Sequence, residues 1–184
     1  MPRKLFCLLL CEDTEQEQLF RPILERLFHR VYVEPRRPNG GFTFVLKSLA
    51  KVARYVRQRH QEAVGLLVVI DGDQSGFPGR RQEIEQKLRA DGFDLKKLDR
   101  MAICIPSRNV ETWELWLCGF RDLDEHTDYK TKRQSELKTI RRSQLLEAWF
   151  APLSEEQRQL EEEILPALAS GRIEIDRLKK LAKG

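Results

Sequence analysis

Leu66-Leu67-Val68-Val69-Ile70 runs directly into Asp71-Gly72-Asp73, and that junction constrains the fold more than any other part of the chain. Five consecutive apolar residues, two of them β-branched valines followed by isoleucine, read as a strand buried on both faces. Two carboxylates then follow where such a strand meets solvent. Gly72 between them and Gly76 after them permit the tight backbone of a strand-to-helix turn. Alternate residues of an extended segment point the same way, so Asp71 and Asp73 can face one site. Like charges that close are costly unless a cation lies between them, and hard divalent ions such as Mg²⁺ favour oxygen-rich sites of this kind.

The N-terminal segment repeats the design. Lys4 to Leu10 (KLFCLLL) reads as a second buried strand, followed at once by Cys11-Glu12-Asp13-Thr14-Glu15. Thr14 is the expected cap of the next helix, whose apolar stripe is Leu19, Phe20, Ile23, Leu24 and Leu27. Glu12 thus stands at a strand's C-terminal end, as Asp71 does. In open parallel α/β sheets that edge is where ligands bind.

The wider pattern is strand 4–10, helix 14–29, a short strand at 31–34 and a Pro/Gly loop. Helix 43–60, strand 65–70, helix 79–90, strand 101–105 and helix 110–118 follow. This alternation predicts a parallel α/β sheet with right-handed crossovers and helices on both faces. Residues 119–135 read as a polar loop or small insertion. Ser154-Glu155-Glu156-Gln157 is a capping box for a helix to about Ala169, with Pro166 a kink or an early stop and Gly171 the end. A short basic helix near 174–182 completes the pattern. The expected division is a main α/β domain over 1–135 and a helical extension over 136–184, packed on the same domain.

The 184 residues, 41% of them hydrophobic, suffice for one domain with a substantial core. No stretch approaches the roughly 20 apolar residues of a membrane span. Arg3 and Lys4 precede a short apolar run, but its acidic continuation favours a first strand over a secretory leader. The four cysteines (Cys7, Cys11, Cys104, Cys118) form no CxxC pair, and Cys7 and Cys104 fall in expected strands. Buried thiols in a reducing cytoplasm are the reading adopted; Cys7, Cys11 and His29 match no standard zinc spacing. His29, His60 and His126 have no triad-like neighbours and are read as non-catalytic.

The net charge of +4 is too small to indicate nucleic acid by itself. Its distribution is more informative. Lys47, Lys51 and Arg54 share a helix face, with Arg57 and Arg59 beyond them, and Arg36 and Arg37 precede the Pro38-Asn39-Gly40-Gly41 turn. Lys130, Lys132, Arg133, Lys138, Arg141 and Arg142 form a later group. Such clusters suit either phosphate backbones or plain solvated helix faces.

A third strand end leads into Ile105-Pro106-Ser107-Arg108-Asn109-Val110-Glu111-Thr112-Trp113. Asn109 is the expected N-cap, which puts Glu111 in the first helical turn. There it either complements the helix dipole or reaches the acidic site from a third strand. Trp113, Trp116 and Leu117 are spaced as a core-facing stripe. Farther on, Trp149, Phe150 and Leu153 group together, either packed on the sheet or as a partner-docking face.

In combination these residues resemble the Toprim domain, shared by topoisomerases, bacterial primases, recombination mediators, small RNA maturases and the overcoming-lysogenization-defect nucleases. The resemblance spans roughly 4–118 and rests on Glu12, Asp71-Gly72-Asp73 with Gly76, and the stretch IPSRNVETWELW. The last is similar to small stand-alone Toprim proteins of bacterial defence islands, often encoded beside an ATPase. The resemblance implies a Toprim-like, Rossmann-like fold: a central four-stranded parallel sheet flanked by helices, with the C-terminal helical extension. Glu12 matches the family's single glutamate, and Asp71 and Asp73 its paired aspartates. Glu15 resembles the second acid of the nuclease subgroup, although that subgroup has Glu-Gly where this chain has Glu12-Asp13. Glu111 is similar to the subgroup's additional acid, and Lys130 is matched to its charge-stabilising lysine in preference to Lys132.

The activity so implied is Mg²⁺- or Mn²⁺-dependent phosphodiester hydrolysis, on DNA rather than RNA, in an antiviral defence role. Glu12, Asp71 and Asp73 would hold one ion, Glu15 and Glu111 would complete a second site, and Lys130 would offset transition-state charge. No Walker-type loop is present, so ATP hydrolysis would come from an ATPase partner. A homodimer is left open. Topoisomerase and primase activities require further domains. The remaining alternatives are an RNA maturase-type endoribonuclease and a non-catalytic subunit that binds nucleic acid or protein.

Overall fold

The computed structural model describes residues 6–34, 41–59, 64–94, 97–138 and 141–181. Four parallel strands form one sheet in the order β2-β1-β3-β4: β1 (Phe6–Leu10), β2 (Arg30–Val33), β3 (Val64–Val69) and β4 (Met101–Cys104). Every residue of β3 and β4 is buried, as expected for strands covered on both faces. Edge strand β2 instead alternates exposed and half-buried positions.

The period-2 alternation divides the core in two. Cys7, Leu9, Leu67, Val69, Ala102 and Cys104 face one layer, built from α1 (Thr14–Leu27), α4 (Val110–Leu117), α6 (Arg142–Phe150) and α8 (Pro166–Leu181). Leu10, Leu66, Val68, Ile70 and Ile103 face α2 (Gly41–Gln58) and α3 (Gly76–Ala90) on the other side. Trp113 is buried among Phe20 and Trp149, with ring centroids 5.9 and 6.3 Å away, and Trp116 is buried beside them. The tryptophans are core, and Trp149 joins them there. Burial also pushes the Cys7 thiol up to about 12, so it stays protonated at neutral pH.

Several local expectations need correction. The cap of α1 is Asp13, whose Oδ1 accepts the Gln16 N–H at 2.8 Å, and Thr14 is the first helical residue. Residues 119–135 are not all loop: α5 (Lys130–Glu136) forms there, without any buried residue to give a periodic signal. It is tied down by polar contacts, chiefly Arg133 Nε to Glu114 Oε2 at 2.7 Å. Ser154 does cap α7 (Glu155–Ile164) in a capping box, and of the two outcomes expected at Pro166 the early stop holds, so the helix does not reach Ala169. Pro166 starts α8, where its missing N–H costs no helical hydrogen bond. The expected separate basic helix is the later part of α8, and its last residues lie outside those described. Gly171 sits inside α8 because the helix packs closely on Trp113: a Cβ at 171 would lie 2.7 Å from the indole ring.

The C-terminal helices thus share the core that α1 and α4 build on the sheet. Among the described residues no helix is long and apolar enough to cross a membrane. The start of the first expected strand (Lys4 and Leu5), Arg36 and Arg37, most of the Pro38–Gly41 turn, and His60 lie outside the described residues.

Candidate functional site

β1 and β3 are neighbours, and the pairing of Leu10 with Val68 brings their C-terminal exits together. Glu12 therefore lies beside Asp71: its Oε1 accepts the Asp71 backbone N–H at 2.9 Å. Gln16, fully buried on the first turn of α1, joins the two acids. Its Oε1 accepts the Glu12 N–H at 2.9 Å, and its Nε2 donates to Asp71 Oδ1 at 2.9 Å.

The turn after β3 is held just as tightly. Gly72 N–H donates to the Pro106 carbonyl at 2.7 Å, and a Cβ at 72 would lie 2.3 Å from the Ser107 carbonyl oxygen. Only glycine fits there. Asp73 follows with φ +49°, the one non-glycine residue in the left-handed region among those described. Aspartate tolerates this conformation better than most residues. Its carboxylate is half exposed and turned toward Arg80, with Oδ2 3.5 Å from a guanidinium nitrogen.

Burial governs the electrostatics. It raises the Glu12 carboxyl from 4.5 to about 7; the Asp71 N–H opposes the rise and the charge of Asp73 adds to it. Asp71 is also pushed well above the ordinary aspartate value, first by burial and then by the charge of Glu12, while Gln16 opposes. The charge of Glu111 reaches Asp71 as well. Glu111 is itself buried and raised, with the nearby charge of Lys130 partly compensating.

Glu12, Asp71 and Asp73 thus form one group, with Glu111 and Lys130 at its side. Glu15 is placed differently. It is exposed on α1, and its charge is felt by Glu114 and Arg133. Lys130 begins α5, its N–H accepted by Asp128 Oδ1 at 2.9 Å, and Asp128 also accepts Asn109 Nδ2 at 3.0 Å. Asn109 is the N-cap of α4 but makes no side-chain bond to the helix backbone; its Oδ1 accepts the Thr112 hydroxyl at 3.4 Å, and its amide donates to Asp128.

Among the described residues no three His, Cys, Asp or Glu side chains converge into a set that would hold a metal ion as they stand. The chemistry of the donors nevertheless suits a hard divalent cation. Glu12 and Asp71 are two oxygen donors brought together in a poorly solvated place, where the charge of Glu12 adds to the cost of ionising Asp71. Asp73 is a third donor whose charge already reaches Glu12.

Two residues of this group escaped the reading of the sequence. Gln16 stands three residues after the cap Asp13, and the D-x-x-Q pattern was its signal. Arg80, buried at 6% exposure, donates from Nε to the Asp71 carbonyl at 2.9 Å; no motif announced it. A buried brace stands behind the site. Glu125 accepts the Ser107 hydroxyl at 2.7 Å and the Ala167 N–H at 2.8 Å, joining the turn after β4 to the start of α8. No family model, no curated protein and no solved structure matches this chain.

Proposed function

We propose that this protein is a Mg²⁺- or Mn²⁺-dependent nuclease that hydrolyses phosphodiester bonds, DNA before RNA, on a Toprim-like fold. One observation carries the reading: Glu12 and Asp71 leave adjacent parallel strands hydrogen-bonded to each other, with Asp73 two residues on. The crevice beyond the C-terminal ends of parallel strands is the usual ligand site of such sheets. A buried and a half-buried carboxylate forced together are stabilised in their ionised form by a cation.

Glu12, Asp71 and Asp73 would hold the ion, and Glu111, whose charge reaches Asp71, would add a fourth carboxylate. Glu15, exposed on α1 with its charge felt by Glu114 and Arg133, is left out of the set. A bound divalent ion supplies an activated water and polarises a phosphoryl oxygen. Lys130, exposed beside Glu111, offsets charge that builds on the phosphoryl oxygens. Gln16 keeps Asp71 Oδ1 engaged, which leaves its other oxygen as the donor. The role in antiviral defence and the ATPase partner rest on the resemblance of the IPSRNVETW stretch alone.

The test is cleavage of supercoiled plasmid and of single-stranded RNA with Mg²⁺ or Mn²⁺, comparing wild type with D71A/D73A. Metal-dependent cleavage lost in the variant is the expected result, and the preferred substrate separates a DNase from a maturase. Cleavage that survives in the variant would remove these carboxylates from the active site. No cleavage by either protein, together with no Mn²⁺ binding, would favour the non-catalytic binding subunit.

A further inference from the structure

The carboxylates already have a positive charge among them. Arg80 is 6% exposed and uses three of its nitrogens. Nε donates to the Asp71 carbonyl at 2.9 Å, Nη1 to Glu83 Oε2 at 2.7 Å, and Nη2 stands 3.5 Å from Asp73 Oδ2. The guanidinium carbon lies 3.7 Å from the centroid of the Phe42 ring. We propose that Arg80 is the resident counter-ion of this site, and that a divalent cation binds by drawing Asp73 away from it. This rests on the cation-binding part of the reading above and adds what sets the affinity.

The three contacts are unequal, and the inequality carries the argument. The bond to the Asp71 carbonyl is buried and main-chain, and the stack on Phe42 fixes the plane of the guanidinium. The bridge to Glu83 is short, and Glu83 is braced in turn by the Ser75 hydroxyl at 3.1 Å. The contact with Asp73 is long, and its carboxylate is 55% exposed. A contact at 3.5 Å to an exposed carboxylate is the weakest of the three. It can open while Arg80 stays in place. Asp73, on a turn already in the left-handed region, then has its carboxylate free for the group it already influences at Glu12.

Arg80 therefore acts as a positioning residue. It competes with the cation for Asp73, while Glu83 competes with Asp73 for Arg80. The two substitutions should move affinity in opposite directions. Arg80→Gln removes the competing charge but keeps a side-chain donor. Glu83→Gln leaves Arg80 uncompensated and more firmly held on Asp73. A merely structural role for the cluster would weaken binding in both variants.

The experiment is an electron paramagnetic resonance titration of Mn²⁺ on the full chain at about pH 8.5, well above the ordinary carboxylate range. Circular dichroism checks that each variant is folded. Arg80→Gln should bind Mn²⁺ roughly threefold to tenfold tighter than wild type, and Glu83→Gln roughly twofold to fivefold more weakly. Both effects should vanish when Asp73→Asn is also present, because the contested carboxylate is gone. Wild-type binding with no tightening in folded Arg80→Gln, or an unchanged Glu83→Gln effect in the Asp73→Asn background, would overturn the proposal and leave the cation site standing. Absence of Mn²⁺ binding in wild type and both variants would overturn the site and this proposal together. Should Arg80→Gln fail to fold, Glu83→Gln with and without Asp73→Asn decides the matter.

Discussion

Gln16 touches Glu12 and Asp71 at once, taking the backbone N–H of the first and donating to the carboxylate of the second, each at 2.9 Å. One neutral side chain thereby links the first turn of α1 to the exit of β3, 55 residues later. Replacing it with leucine leaves the Glu12 N–H without its acceptor and Asp71 Oδ1 without its donor. Gln16→Leu should cost about 1–3 kcal/mol in urea denaturation, and Gln16→Glu more, because it adds a buried acid beside Glu12 and Asp71.

Stability should depend on pH through the acidic pair. Glu12 holds its proton up to about pH 7 in the folded chain and near 4.5 in the unfolded one. The folded state is thus favoured by this group below about pH 4.5, and that contribution is lost as the pH rises to about 7. Asp71 acts in the same direction. In chelator, Glu12→Gln should raise the stability at pH 8 by about 1–3 kcal/mol, since its Oε1 can still accept the Asp71 N–H. Mn²⁺ should raise the wild-type Tm more at pH 8 than at pH 5.5, and should not do so in Glu12→Gln. A Tm indifferent to Mn²⁺ at both values would remove the cation site.

The pairing of Arg133 with Glu114 gives an asymmetric expectation. The Glu114 side chain is 3% exposed and that of Arg133 32%. Arg133→Ala leaves a buried carboxylate without its donor and should cost about 1–3 kcal/mol, whereas Glu114→Gln, which keeps a polar partner in place, should cost less. If α5 carries Lys130 to the site, Arg133→Ala should also slow cleavage more than it weakens substrate binding. Comparing kcat with KM in the plasmid assay checks this.

Gly171→Ala puts a methyl group 2.7 Å from the Trp113 ring, in the middle of α8. Helix propensity alone would make the change favourable by about 1 kcal/mol. The collision should dominate, for a net loss of about 1–3 kcal/mol in thermal or urea unfolding. A stabilised Gly171→Ala would mean that α8 rides farther from α4 than described.

The sheet was legible because its strands are short apolar runs punctuated by acids and glycines, and every strand appeared within a residue or two of its expected place. Glu12, Asp71 and Asp73 could be grouped because a strand's end is a definite position. α5 could not be read, since a helix held by Arg133 and Asp128 carries no apolar period. Gly171 misled for a related reason. A glycine that makes room for a neighbouring ring looks, in one dimension, like a glycine that ends a helix. Arg80 was invisible because its partners belong to a turn, a helix and an aromatic ring brought together only by folding.

The position of α8 has a consequence for the order of events during synthesis. Leu165, Leu168, Ile175 and Leu178 are buried against strands and helices made far earlier, and Gly171 touches Trp113. A ribosome that has finished β1 to β4 has still not finished the core. Until α8 emerges, the nascent chain presents an apolar face of β4 and α4 to chaperones, with the acidic strand ends already laid out beside it.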